Sequence, residues 1–287
     1  MDKVVECKMT KLLSIGDSVV DYYKYKNTIF PGGNALNVAV VSAHNGAKNN
    51  GYMGIIANDY YGAFLRKTLE EECIDISKVR YAIGESPVAC VKIDKEGDRI
   101  FEGSNIKSRI TSGLALRFAP EDIQYINQYD IIHTSIDSHI ESQLHLIGHK
   151  QISFDFSTKE KWNDDILKQV CPHLTFAFFS GSGMEEKDIY TLISKVAELG
   201  VPTIIVTRGE KSTIAYQENK FYFQHPQLIK VVDTMGAGDS FIAGFLTFYT
   251  DSKSMEFALR KGAASASRTC QLEGSFGKGE LIYEEED

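Results

Sequence analysis

The residues with the clearest chemical content lie late in the chain, in Val231 to Phe245, VVDTMGAGDSFIAGF. A strand end is expected to run into Gly236, Ala237 and Gly238, with a strongly apolar helix starting near Asp239. Small residues let a backbone approach a ligand closely, and the unpaired N–H groups of a helix N-terminus attract an anion. Asp239 is then either the helix cap or a working carboxylate. Aspartate is a favoured cap, so any one of these residues has an ordinary explanation. The whole run does not, because a carboxylate beside an anion hole repels a phosphate unless it has a proton to move. Neither established glycine-rich nucleotide pattern is present: there is no G-x-x-x-x-G-K-[ST], and GAGDSF lacks the third glycine of G-x-G-x-x-G. A dehydrogenase reading is correspondingly weak.

Such residues need a frame. KLLSIG (11–16), GYMGIIA (51–57), YDIIHTSI (129–136), QISFDF (151–156), TFAFFS (175–180) and PTIIVT (202–207) read as strands, apolar on consecutive positions as in strands covered on both faces. Between them lie helical patterns, Tyr61 to Glu72 and Glu185 to Leu199, the second stopped by Gly200 and Pro202. Strand, helix, strand in repetition means a mostly parallel sheet with helices on both faces. Residues 18–31 and 81–102 break the rhythm. The latter alternates apolar and polar around the turn DKEGD, as a half-exposed hairpin does. Together they read as a small sheet placed to cover a site, or as surface loops. The terminal GKGELIYEEED reads as a frayed tail.

DTMGAGDSF resembles the C-terminal motif D-T-x-G-A-G-D-x-F of the ribokinase-like sugar kinases, the phosphofructokinase B family. PGGNALNVA at 31–39 resembles its N-terminal motif G-G-x-x-x-N-x-A, about 200 residues earlier. The resemblance runs from about residue 11 to about residue 275. It implies an α/β three-layer sandwich with a mostly parallel central sheet and a small β-sheet lid. The expected organisation is one kinase domain over 1–275, lid segments at about 18–31 and 81–105, and an acidic tail over 276–287. The implied reaction moves the γ-phosphoryl group of ATP to a sugar hydroxyl, a chemistry of positioning and charge stabilisation.

By that resemblance Asp239 is the base that takes the hydroxyl proton, and Gly236, Ala237, Gly238 and the Asp239 amide form the anion hole. Asp17 and Asp21 occupy positions that bind substrate hydroxyls. Gly32, Gly33 and Asn37 match the sugar-binding loop and its helix, whereas Asn34 reads as a helix cap. Thr207 and Gly209 resemble the T-x-G-x-x-G nucleotide loop, with Ser212 in place of the second glycine. Gly262 and Ala263 fall where the family lines its adenine pocket, and helix packing explains them equally well. Asp233 and Thr234 match a region that holds a monovalent cation, K+, in some members. Two places depart from the pattern. Ser180 stands where the family has the asparagine of N-x-x-E, with Glu185 and Glu186 beyond the glutamate place, which leaves the residues supporting Mg2+ open. The family's D-x-N-x-R reads Asp155 to Lys159, and Lys159 is a poorer fork than arginine.

Within the family, VVDTMGAGDSFIAGFL, FPGGNALNVAV, QYDIIH and ISFDFS resemble the bacterial kinases that act on fructoselysine. That implies phosphorylation of the 6-hydroxyl of a fructosamine, although no residue for its amino-acid end is recognisable. A fructokinase or ribokinase of the same fold is the alternative. A non-catalytic sugar-binding relative is the alternative from another class, and the intact Asp239 run argues against it. The family also implies a homodimer that pairs through the lid sheets, since open sheet edges tend to find partners.

The remaining candidates are histidines and tyrosines. His145 and His149 stand at i, i+4 on an expected helix, the spacing of two metal ligands, but no third ligand accompanies them. His139 follows a strand where a substrate would lie, and is retained as a substrate contact. Tyr22, Tyr23 and Tyr25 read as lid residues or as the alternation of an exposed strand.

The chain has 287 residues, 39 acids and 31 bases, a net charge of −8. No general attraction to nucleic acid or anionic membrane is expected, so any anion must be held by local structure. Five widely spaced cysteines without a Cys-x-x-Cys pair suit a reducing compartment. With no signal-peptide pattern in MDKVVECKMTKLL, a cytoplasmic protein is expected.

Overall fold

In the computed structural model of the chain, residues 10–93 and 99–282 are described. Along the chain these form β1 (Leu12–Gly16), β2 (Val19–Tyr23), β3 (Thr28–Gly32), α1 (Asn34–His44), β4 (Gly51–Ala57), α2 (Tyr60–Glu71), β5 (Arg80–Ala82), β6 (Val88–Ile93), β7 (Arg99–Ser104) and α3 (Pro120–Ile126). They continue with β8 (Ile131–Ser135), β9 (Gln151–Asp155), α4 (Asp164–Val170), β10 (Phe176–Ser180), α5 (Glu186–Glu198), β11 (Thr203–Arg208), β12 (Lys211–Gln217), β13 (Lys220–Gln224), α6 (Ala237–Ser252), α7 (Met255–Thr269) and β14 (Glu280–Leu281).

Nine strands make one sheet in the order β13-β12-β11-β10-β9-β8-β1-β4-β5. From β11 to β5 every neighbouring pair is parallel, while β12 and β13 extend one edge antiparallel. The consecutive apolar residues have a direct cause, because strand side chains alternate between two faces and both faces are covered. Leu12, Tyr52, Ile131, Phe176 and Phe178 pack with Leu36, Phe64, Phe245 and Leu259 of α1, α2, α6 and α7. Leu13, Met53, Ile132, Ala177 and Phe179 pack on the opposite face with Ile126, Leu167 and Ile189 of α3, α4 and α5. This is the expected three-layer α/β sandwich.

From β1 the chain works outward to β4 and β5, then returns to β8 on the other side of β1 and continues to β11. Strand order therefore reverses between β1 and β8, and a crevice opens at the carboxyl ends of those strands.

A second sheet, β14-β3-β2-β6-β7, stands apart from the first. Two excursions of the chain build most of it, one between β1 and α1 and the other between β5 and α3. Its own small core is Tyr23, Phe30 and Val91, closed by Met235 from the loop before α6. The boundaries differ from expectation in two places. Arg80–Ala82 pairs in parallel with Ile55–Ala57 in the main sheet, so the second excursion starts only after it. Residues 276–282 are not frayed: Phe276 is buried among the helices, and β14 pairs with Ile29 and Thr28 of β3. The DKEGD turn and Glu284 to Asp287 lie outside the described residues. Among the described residues no helix is long and apolar enough to cross a membrane.

Candidate active site

Asp17 follows β1, Asp137 to His139 follow β8, and Asp155 ends β9, so three parallel strands deliver polar residues to one crevice. The first turns of α1 and α6 reach the same place. A cavity of about 610 Å3 opens there, and the small sheet supplies another part of its lining through Asp21, Val88 and Glu102.

Gly236 turns the chain into α6 with φ 69°, and a Cβ there would lie 2.6 Å from the Ser275 Cβ. The helix thus begins at Ala237, two residues before the expected start, and Asp239 stands in its first turn rather than at its cap. No strand precedes it: Val231 and Val232 are exposed, and the Val232 N–H bonds to the Cys270 carbonyl. The Ala237 N–H is used by the Thr234 carbonyl at 3.2 Å. Gly238 is exposed, and a Cβ on it would meet nothing within 4 Å, so there is room for an anion against that turn.

The Asp239 carboxylate accepts the Asn37 Nδ2 at 2.7 Å and the Asn34 Nδ2 at 2.8 Å. The same Asn34 nitrogen donates to Asp155 at 2.8 Å. On its other side the Asn34 Oδ1 meets the His133 Nε2 at 2.8 Å, and the His133 Nδ1 meets the Ser153 hydroxyl at 3.0 Å. A carboxamide oxygen only accepts, so His133 carries its proton on Nε2 and the Ser153 hydroxyl donates to Nδ1. Burial lowers the His133 pKa to about 3, so the ring is neutral. Burial, and then the charge of Asp239, raise the Asp155 carboxyl to about 7. The two carboxamide donors fix the Asp239 carboxylate in place and favour its charged form, the form that can accept a proton.

Asp17 lines the cavity, but its oxygens also close the start of α1 by accepting the Asn34 N–H at 2.8 Å and, more weakly, the Ala35 N–H at 3.4 Å. Burial and the nearby Asp137 and Asp239 raise its carboxyl above the ordinary range. Gly33, not Asn34, is the N-cap residue; at its φ of 98° a Cβ would stand 2.7 Å from the Ser18 Cα. Gly32 is packed against the Asp21 carboxylate, and Asp21, Gly33, Asn37 and His139 all line the cavity. Asp233 is fully buried, and its oxygens accept the Tyr23 hydroxyl, the Met235 N–H and the Gly274 N–H.

Other candidates lie elsewhere. Thr207 and Gly209 sit at the end of β11 and in the turn after it, outside the cavity lining. Gly262 and Ala263 are buried on α7, where a Cβ on Gly262 would stand 2.9 Å from the Phe241 carbonyl oxygen of α6. Glu186 pairs with Arg208 at 3.1 Å, which carries one acid of SGSGMEE to the nucleotide-loop segment. Lys159 lies over the Trp162 ring, whereas Lys161 lines the cavity and pairs with Asp137 at 2.6 Å. His145 lies in a 3-10 turn over Glu141–Ile147 and His149 beyond it, bonded to Asn127, so they do not share a helix face. Among the described residues no group of three or more metal-ligating side chains occurs.

Asn34, His133, Asp155, Lys161 and Arg109 were not singled out as site residues by sequence. For His133 a signal existed, a lone histidine inside the apolar strand IIHTS. For Asn34 the position beside the glycine pair suggested only a cap.

The profile of the pfkB family carbohydrate kinases matches residues 9–277. The chain is 42% identical to Fructosamine kinase FrlD of Bacillus subtilis (strain 168) over 270 residues, 94% of each chain. It is 37% identical to Fructoselysine 6-kinase of Escherichia coli (strain K12) over 273 residues, 93% of this chain and all of that one. In fold it matches a fructokinase with bound ATP from Xylella fastidiosa, with TM-score 0.76 at 18% identity, covering 93% of this chain and 94% of that one. A crevice at the strand-order reversal with a carboxylate in the first turn of α6, together with these matches along nearly the whole chain, places the protein in the pfkB family of carbohydrate kinases.

Proposed function

We propose that this sugar kinase transfers the γ-phosphoryl group of ATP to the 6-hydroxyl of a fructosamine such as fructoselysine. The observation that carries the mechanism is the Asp239 carboxylate, held by Asn34 and Asn37 at the cavity floor in the first turn of α6. Asp239 takes the proton of the 6-hydroxyl as that oxygen attacks the γ-phosphorus. The bond to the β-phosphate bridging oxygen breaks, and ADP leaves. Of the expected anion hole, Gly238 is the open position that would face the charge of the group in transit, whereas Gly236 is packed on Ser275 and the Ala237 N–H is taken by the Thr234 carbonyl.

The substrate class is supported by the two fructosamine-directed relatives and by the lining. Six carboxyl groups, of Asp17, Asp21, Glu102, Asp137, Asp155 and Asp239, face the cavity. An acidic lining favours an acceptor that carries an amine, which a fructosamine has and free fructose lacks. Thr207, Gly209, Gly262 and Ala263 are the proposed nucleotide contacts. Bound Mg2+ would neutralise charge on the nucleotide phosphates, and among the described residues no cluster of side chains forms a cage for it. The Asp233 oxygens are committed to three donors, so a K+ requirement finds no support in that side chain. We further propose a cytoplasmic enzyme that pairs as a homodimer through its small sheet, a state that light scattering on the purified protein reads directly.

A coupled ADP-release assay tests the reaction. Fructoselysine is expected to be turned over with higher kcat/KM than fructose or ribose, and equal or better use of fructose overturns the fructosamine assignment. Asp239→Asn is expected to lower kcat by at least about 100-fold, the loss of a positioned general base. Undiminished kcat would remove Asp239 from that role.

A further inference from the structure

A fructosamine built on an amino acid carries, besides its amines, a carboxylate at the end away from the sugar. A lining this rich in carboxyl groups offers that group no attraction, so something must hold it. Lys161 is already paired with Asp137 at 2.6 Å. Arg109 is different. It also lines the cavity, it forms no ion pair with a described residue, and its Nε is shut from solvent without a hydrogen-bond partner. A buried guanidinium N–H without an acceptor is costly, and in a cavity a ligand can supply the acceptor.

Its mounting is firm. The Arg109 N–H bonds to the Asn105 carbonyl at 3.1 Å, Arg109 bridges to Glu85, and the next residue, Ile110, is buried and donates its N–H to the Glu85 carbonyl at 2.9 Å. The residue follows β7, on the part of the lining that belongs with the small sheet, whereas Asp239 and Asp155 belong to the main body.

Resting on the fructosamine reading, we propose that Arg109 binds the α-carboxylate of the amino-acid portion while the sugar lies against Asp239. A guanidinium offers a planar carboxylate two parallel N–H donors, which a lysine does not. Among the described residues of the lining Arg109 is the cation without an ion-pair partner, which suits a singly charged anion. A doubly charged sugar phosphate asks for more positive charge than this lining holds.

The test compares fructoselysine with the fructosamine of 1,5-diaminopentane, which keeps both amines and the chain length and lacks only the carboxylate. The enzyme is expected to favour fructoselysine by about 10- to 100-fold in kcat/KM, the scale of a charge-assisted hydrogen-bonded pair, with the difference in KM. In Arg109→Gln the ratio falls toward one, and Arg109→Lys recovers only part of it. Equal use of the two fructosamines by the unaltered enzyme, or equal loss on both in Arg109→Gln, removes the assignment and leaves the proposed function standing. Turnover of fructose or of a fructose phosphate with neither fructosamine used overturns both.

Discussion

The Asn34 carboxamide is held at both ends, by the neutral His133 ring on its oxygen and by two carboxylates on its nitrogen. Its N–H groups stabilise the ionised forms of Asp155 and Asp239, which otherwise repel each other. Asn34→Ala is therefore expected to move the acid limb of the kcat/KM profile to higher pH. Asp155→Asn removes one negative neighbour and is expected to move it to lower pH. Shifts in the same direction would show that the two side chains do not act through charge on the base. Asp155 also links stability to pH. Its carboxyl is raised from 3.8 to about 7, mainly by burial and then by Asp239. The native chain thus keeps a proton that the unfolded chain has released, and this contribution declines as pH rises toward 7. Asp155→Asn abolishes the decline. Its melting temperature relative to the parent is expected to climb between about pH 4 and pH 7 and then level off, which thermal melts across that range would detect.

Among the elements, the decisive contact joins the small sheet to the loop before α6. Asp233 sits at 0% exposure and takes the Tyr23 hydroxyl of β2 together with the Met235 and Gly274 N–H groups. Met235 in turn completes the core of the small sheet. The covering sheet and the first turn of α6 are thereby linked through one buried carboxylate. Burial and Asp233 keep the Tyr23 phenol protonated far above its ordinary range, so it remains a donor. Tyr23→Phe leaves Asp233 one donor short and is expected to cost about 1–3 kcal/mol in denaturant unfolding, with a rise in KM. Tyr22→Phe is the control, since among the described residues its hydroxyl bonds to Asn27, at 3.3 Å in an exposed position. Equal stability losses in the two variants would remove the special status of Asp233.

Across the whole molecule, two apolar layers share one sheet, and the cavity lies where that sheet's strand order reverses beneath the second sheet. A ligand seated there touches the main body and the small sheet together. It therefore binds the assembled chain and not the unfolded one. Fructoselysine at 100 times its Kd is expected to stabilise the protein by about 2.7 kcal/mol, read as a rise in melting temperature. Under the proposed function Asp239→Asn retains most of that rise while losing turnover, because Asp239 serves the reaction and other groups along the lining are assigned to the sugar. A variant that loses both would mark Asp239 as a binding group.

Much of this was legible in the chain itself. Consecutive apolar residues in KLLSIG or TFAFFS disclosed strands buried on both faces, and the glycine-rich run before α6 disclosed a turn into a helix, because in each case the physical signal spans only a few neighbouring residues. The start of α6 was placed two residues late, since the left-handed turn at Gly236 depends on its packing against Ser275. Phe276 and Glu280–Leu281 read as a loose tail because their partners, the helical core and β3, are far away in sequence. The same holds for the site. Asn34 and Asp239 lie 205 positions apart, and no local pattern distinguishes an asparagine that caps a helix from one that bridges two carboxylates. Residue types and short spacings determined what this protein could do. Only the folded sheet, by bringing the ends of β1, β8 and β9 against two helix starts, decided which polar residues meet in one cavity.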